Sequence, residues 1–374
     1  MQLQRKNRLR ALALGAVALS GALALTACGS DDTGGSGTST GAAKNGSIAC
    51  GDARGELLAA GSSAQQNAID AWVKQYTAVC RDVRINYNPS GSGAGVTSFL
   101  QGQTAFSGSD SALRPEEIEK SRKVCRGSQA IDLPMLGGPI AVVHHLPGVD
   151  DLVLDAPTLA KIFDNRITTW NAPEIKRLNP GVKLPGTRIQ AFHRSDESGT
   201  TDNFTTYLKA AAPDDWSYPG GKSWPTRGGQ SAAGSSGLVQ QVKQTEGALS
   251  YVELSYVRDG LDTVRIKTQA SEPVEATVEN ASKAIAEAEI VGKGKDLALK
   301  LDHTPSAEGA YPITQVTYEI VCAKGNRADT LPATRSFLGY IAGKDGQALL
   351  KQASYAPLPD KIAARVRSTI ADLG

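Results

Sequence analysis

The sequence predicts an α/β fold of two lobes, each a mostly parallel sheet flanked by helices, joined by two crossover strands. Three observations predict it. Strand and helix periodicities alternate along the chain from residue 55 onward. The 374 residues are enough for two packed lobes of about 150 residues each. No internal repeat and no second long linker breaks the alternation, so the lobes read as halves of one ligand-binding unit.

The elements follow in order. Glu56–Ala60 is a short apolar strand, and Ala64–Val79 is helical, with Ile69, Trp72, Val73 and Tyr76 on one face. Val83, Ile85 and Tyr87 alternate along a strand over 82–87, residues 95–102 form a short helix and 105–109 a strand. Pro115 opens a helix, because proline is tolerated in the first turn. This β-α-β series implies a mostly parallel sheet covered on both faces. A buried strand over 139–145 comes next, then helices near 158–163 and 173–178 and a strand over 188–192. Helices over 200–212 and 231–244, a strand over 247–251 and a helix over 274–289 continue the pattern. A strong strand over 313–322 precedes three helical stretches. The crossings fall near 137–145 and 311–321, which assigns residues 50–138 plus 318–374 to one lobe and 139–317 to the other.

Residues 1–27 read as an address rather than a structural element. Arg5, Lys6, Arg8 and Arg10 precede an uncharged Ala/Leu-rich stretch over 11–25, which is short for a membrane span and suits a signal peptide. The run Leu25-Thr26-Ala27-Cys28 resembles a bacterial lipobox, in which Cys28 is acylated and the chain is cut just before it. Residues 28–49 then form a Gly/Ser/Thr-rich linker; thirteen of the twenty residues over 28–47 are of these types, too few apolar groups to fold. Such a linker reaches about 25 Å. The expected location is the outer face of the bacterial cytoplasmic membrane, with a lipid on Cys28. Without the four leading basic residues the net charge moves from +2 to −2, so an anionic ligand must be held at a local site. The balance of 40 basic and 38 acidic residues leaves no basic footprint for nucleic acid.

Apart from Cys28, the cysteines are Cys50, Cys80, Cys125 and Cys322, an even number that implies two disulfides in an exported chain. Four cysteines allow three connectivities. Cys50–Cys80 is favoured because each precedes one of the first two strands, and Cys125–Cys322 follows by elimination. No Cys-x-x-Cys suggests zinc or thiol redox chemistry, and neither a metal nor a cofactor is expected.

Four polar, glycine-containing segments each follow a strand: 61–64 (GSSA), 90–95 (SGSGAG), 107–110 (SGSD) and 194–200 (RSDESGT). Ligands of open α/β sheets bind outside the carboxyl ends of strands. Three of the segments run into a helix, whose first N–H groups and partial positive charge receive an oxyanion. Arg194 adds a charged fork suited to a tetrahedral anion. Each segment alone is compatible with an ordinary helix cap or turn; their conjunction points to an anion site.

These segments resemble the phosphate-binding lipoproteins of bacterial ABC uptake systems, in the periplasmic-binding-protein superfamily. The resemblance extends over residues 56–372 and includes the runs 133–142 (LPMLGGPIAV), 162–171 (IFDNRITTWN), 178–181 (LNPG) and 247–253 (GALSYVE). It implies a type II fold of that superfamily and no catalysis. By motif it implies phosphate held by Ser63, the Ala64 amide, Ser92, Asp110, Arg194, Ser198, Gly199 and Thr200. Asp196 is expected to pair with Arg194. Position 64, here alanine, usually carries a larger, often aromatic residue in the family. The implied partners are inorganic phosphate, the permease of an ABC importer and the membrane through the anchor, with the protein a monomer.

Asp110 is the informative residue. A carboxylate beside an oxyanion is repulsive unless the anion has a proton to donate. Phosphate near neutral pH keeps one and sulfate has none, so Asp110 selects phosphate over sulfate; arsenate carries the same proton. A hydrolase is disfavoured, since Ser-x-x-Lys is missing and Gly-x-Ser-x-Gly does not occur after the linker. His144 and His145 are adjacent in a strand, point to opposite faces and do not share a metal. His193 reads as structural. Residues 91–95 (GSGAG) do not make a dinucleotide fingerprint. Trp216 and Trp224 belong either to the cleft mouth or to a plain surface loop over 213–229.

Overall fold

A computed structural model describes residues 48–374 apart from residue 259. The expected signal peptide, the expected linker up to residue 47 and Cys28 lie outside the described residues.

The first half runs β1 (Gly55–Gly61), α1 (Gln66–Val79), β2 (Val83–Asn88), α2 (Ser92–Leu100), β3 (Phe106–Ser109), α3 (Pro115–Val124) and β4 (Ala130–His145). The middle runs β5 (Leu152–Asp155), α4 (Ala156–Phe163), α5 (Pro173–Leu178), β6 (Gln190–Arg194), α6 (Gly199–Ala211), β7 (Gln230–Ala232), α7 (Gly234–Lys243), β8 (Ala248–Glu253) and β9 (Asp262–Lys267). The chain ends with α8 (Val278–Ala286), β10 (Glu289–Ile290), β11 (Leu299–Lys300), β12 (Thr314–Cys322), α9 (Leu331–Ile341), α10 (Lys344–Gln352) and α11 (Asp360–Ala371). The sheet order is β2-β1-β3-β12-β4-β8-β6-β7, with β9 pairing both β4 and β5. Strand β1 is parallel to β2 and β3, and β6 is parallel to β7 and β8. The two crossover strands run against their neighbours: β12 is antiparallel to β3 and β4, and β4 is antiparallel to β8. This is the type II architecture.

Two large cores sit on either side of the crossings. The first gathers Leu57, Ile69, Trp72, Tyr76, Phe106, Phe337 and Val366; the second gathers Ile140, Phe163, Trp170, Phe204, Trp216, Tyr251 and Tyr311. Each such side chain contributes roughly 1.5–3 kcal/mol by leaving water. Helix α1 joins the first core because Ala68, Ile69, Trp72 and Tyr76 recur at helical spacing, and Trp72 Nε1 donates to Gly346 O at 2.8 Å. Local chemistry sets several starts. Glu117 accepts from the Arg114 N–H at the head of α3, and Asp155 accepts from Thr158 N–H at the head of α4, both N-terminal caps.

Three differences from the sequence reading have physical reasons. Strand β4 begins at Ala130 rather than 139 and is buried along nearly its whole length. Pro134, Gly137, Gly138 and Pro139 read as breakers, yet the strand survives through a register shift opposite Thr317/Tyr318, where a residue is skipped. The helix expected over 274–289 is confined to Val278–Ala286. Ala281, Ile285, Leu297 and Leu299 pack in the first core, although the chain boundaries above place them in 139–317. Burial of the apolar face of α8 decides this, since that face meets β4 and β12 beside the first core.

Both disulfides form as favoured, Cys50–Cys80 and Cys125–Cys322, with S–S distances of 2.03 and 2.01 Å. Trp216 is fully enclosed, and Trp224 stacks on His193 with ring centroids 4.7 Å apart, so the first is core and neither is a plain loop residue. His144 is fully enclosed, lies 5.9 Å from Trp170 ring to ring, and neither ring nitrogen has a partner. No helix among the described residues is long and apolar enough to cross a membrane.

Candidate functional site

The four polar segments converge between the cores. Strand β1 ends at Gly61 with φ of 149°, and a methyl there would overlap the Gly108 carbonyl; only glycine lets the first loop lie against β3. The Ser62 N–H donates to Gly108 O at 2.8 Å and holds this approach. The Ser62 hydroxyl donates to Asp110 Oδ2 at 2.7 Å and accepts the Ala64 N–H at 3.0 Å. The Ala64 amide is thus turned onto Ser62 in this arrangement.

Asp110 is 3% exposed and collects donors from three directions. Besides Ser62, Thr317 Oγ1 donates to Oδ1 at 2.8 Å and Thr200 Oγ1 to Oδ2 at 3.3 Å. Burial raises its pKa, and the hydroxyls of Ser62 and Thr317, the charge of Arg194 and the Thr200 hydroxyl all oppose that rise. Ser92 lies beside it: its Oγ accepts the Asp110 N–H at 3.3 Å and the Gly199 N–H at 3.1 Å.

Arg194 closes β6 and is buried. Its guanidinium is gripped by Asp196, with Nε donating to Oδ1 at 2.8 Å and Nη2 to Oδ2. Burial works against the Asp196 charge, but the hydrogen bonds and charge of Arg194 outweigh it and hold the carboxyl below the usual range. The expected pairing of Asp196 with Arg194 is therefore present. Ser198 caps α6 by accepting the Thr201 N–H at 3.3 Å, with Gly199 and Thr200 opening the first turn. Their N–H end carries the partial positive charge of the helix toward Asp110 and Ser92.

Ser63 stands across from these residues. Its Oγ accepts the Ser235 N–H at 3.0 Å and lies 3.0 Å from Ser235 Oγ, while Tyr256 OH donates to Ser63 O at 2.6 Å. The Gly234 N–H donates to Asp196 at 3.0 Å, so the start of α7 joins Ser63 to the Arg194–Asp196 pair. Ser63, Ser92, Asp110, Arg194, Ser198, Gly199 and Thr200 thus share one buried cleft. Thr317 and Ser235 carry no local signal in the sequence, and Ser62 lies inside the first polar segment beside the expected Ser63. Among the described residues no three His, Cys, Asp or Glu side chains group so as to hold a metal.

A type II sheet with a buried cluster of polar groups between two cores defines a solute-binding protein. The chain belongs to the PBP superfamily, whose domain matches residues 35–345, and within it to the family of bacterial phosphate-binding proteins. It is 42% identical over 360 residues to phosphate-binding protein PstS 3 of Mycobacterium tuberculosis, covering 95% of this chain and 96% of that protein. Phosphate-binding protein PstS of Xylella fastidiosa is 29% identical over 320 residues, covering 84% of each. A crystal structure of a phosphate-binding protein from Stenotrophomonas maltophilia shares the fold, with a TM-score of 0.67 at 19% identity over 84% of this chain and 93% of that one.

Proposed function

We propose that this protein is an extracytoplasmic receptor that encloses inorganic phosphate between its two halves and delivers it to an ABC importer, without catalysing a reaction. The observation that carries the reading is the pairing of opposite charges at one buried cleft: an acidic acceptor, Asp110, faces a cationic fork, Arg194, across hydroxyls and helix N–H groups. A protonated tetrahedral anion satisfies both. Ser63, Ala64, Ser92, Asp110, Arg194, Ser198, Gly199 and Thr200 contact the anion, and Asp196 orients Arg194. Each charge-assisted hydrogen bond contributes roughly 1.5–3 kcal/mol, so a few of them hold the anion without a basic surface. Relatives that share most of the chain are named as phosphate-binding proteins, which supports the same ligand here.

The two cores act as lobes, with β4 and β12 as the crossings. Ligand contacts from both sides favour the closed form over the open one, and the permease reads the closed shape. Cys28 carries the lipid, the linker tethers a monomeric receptor to the outer face of the membrane, and arsenate fits the same acceptor as phosphate. Calorimetric titration of anion-stripped residues 48–374 with phosphate and then sulfate at pH 7 tests the reading. One-to-one phosphate binding without a sulfate response is expected; equal binding of the two, or of neither, overturns it.

A further inference from the structure

Behind Asp110 lies a buried acid that anion binding leaves unused. Glu319, on β12, is fully enclosed, and neither carboxyl oxygen has a hydrogen-bond partner. Its cross-strand neighbour on β3 is Gly108. Opposed residues of paired strands project to the same face. A methyl at Gly108 would overlap the Gln65 amide and meet the Tyr87 hydroxyl, so Glu319 shares this space with Gln65 and Tyr87. Gln65 Nε2 donates to Tyr87 OH at 2.9 Å, and Tyr87 OH donates to Ser62 O at 2.8 Å, while Gln65 Oε1 has no donor. Ser62 is the residue whose hydroxyl donates to Asp110.

Donor supply separates the two acids. Asp110 receives hydroxyls from Ser62, Thr317 and Thr200 and feels the charge of Arg194. Glu319 receives no hydroxyl, and no donor meets it in hydrogen-bond geometry. An enclosed carboxylate without donors is strongly disfavoured against its neutral form. The neutral form has an O–H to give, and the Gln65 side chain that shares this space carries an enclosed acceptor without a donor, Oε1.

We propose that Glu319 is a positioning residue of the cleft: held as the neutral acid, it donates its O–H to Gln65 Oε1, orders the Gln65–Tyr87–Ser62 chain, and leaves Asp110 as the ionised carboxylate that reads the proton on the anion. This rests on the phosphate reading. Burial is the main cause that pushes Glu319 up to about 8; the Gln65 side chain opposes it, and the charge of Asp110 adds to it. Tyr87 on β2 shares this space, and Glu253 at the end of β8 feels the charge of Asp110. Both lie well above their ordinary values, burial being the first cause in each. Ionisation of Glu319 puts a second negative charge beside Asp110 and repels the anion.

The test is phosphate titration of the protein at pH 7 and pH 9, in wild type, Glu319→Gln and Glu253→Gln, with infrared spectra of the protonated-carboxyl band. The quantity compared is the affinity ratio between the two pH values within each protein. For one proton linked to binding, wild type loses about tenfold at one pH unit above an apparent pKa of about 8. Glu319→Gln is expected to show a ratio near one, and to lack a protonated-carboxyl band that wild type shows at pH 7. The inference is overturned if Glu319→Gln keeps the wild-type alkaline loss, if only Glu253→Gln removes it, if wild type shows no such loss, or if the pH 7 spectra of wild type and Glu319→Gln coincide. Failure of wild type to bind phosphate at pH 7 instead refutes the functional reading, and the role at the cleft with it, whatever the spectra show.

Discussion

Replacing Gly93 by alanine separates closure from ligand contact. Gly93 is the second residue of α2, and its N–H donates to Glu197 O at 3.0 Å, a backbone bond across the cleft. A methyl there would overlap the Cβ and carboxylate of Glu197. Because the Cβ is involved, rotating the far end of the side chain does not relieve the overlap. Forcing a methyl into a packed contact costs about 1–3 kcal/mol, and loss of the cross-cleft hydrogen bond adds about 0.5–1.5 kcal/mol. The closed form is therefore disfavoured by about 1.5–4.5 kcal/mol, or about tenfold to a thousandfold in phosphate affinity. In the open form the methyl meets solvent, and alanine favours a helix over glycine by about 1 kcal/mol. Affinity and ligand-free stability should thus move in opposite directions. Calorimetric titration, paired with thermal unfolding of the anion-free protein, reads both. Wild-type affinity would refute the closure argument, and so would a loss of affinity matched by an equal loss of ligand-free stability.

Asp110→Asn should narrow the preference for phosphate over sulfate by at least about tenfold in competition binding, because the amide removes a like charge worth roughly 1.5–3 kcal/mol at a hydrogen bond to the anion; an unchanged ratio would defeat the proton-reading role. His144 is lowered from 6.5 to about 4 by burial, with His145 adding to it. The unfolded chain therefore binds a proton between about pH 6.5 and 4 that the native protein refuses, so stability falls as the pH falls through that window, by about 3 kcal/mol in all. His144→Phe should flatten that acid limb in thermal melts taken from pH 7 to pH 4. Removing Cys125–Cys322, whose cysteines are 197 residues apart, should cost about 5 kcal/mol, against about 3.5 kcal/mol for Cys50–Cys80 at a separation of 30. Denaturant melts of the two double-serine variants check the order.

Local sequence determined what local physics can decide. The spacing of Ile69, Trp72 and Tyr76 makes α1, Pro115 and Ser198 open helices, and alternation marks β2. Polar glycine-containing segments after strands marked the cleft, because backbone approach and free N–H groups are properties of a few consecutive residues. Tertiary structure alone decided the rest. Strand β4 extends through Pro134 and Pro139 because pairing with β12 outweighs the local breakers. Thr317 reaches Asp110 across 207 positions, and Ser235 reaches Ser63 across 172. Nothing near either residue in the chain announces those contacts. The same holds for Glu319: its burial and lack of donors arise only when β3 and β12 bring Gly108, Gln65 and Tyr87 around it. Side chains that receive their partners from distant strands take their protonation from the folded surroundings, and an amino-acid sequence read in short windows holds no record of that solvent exclusion.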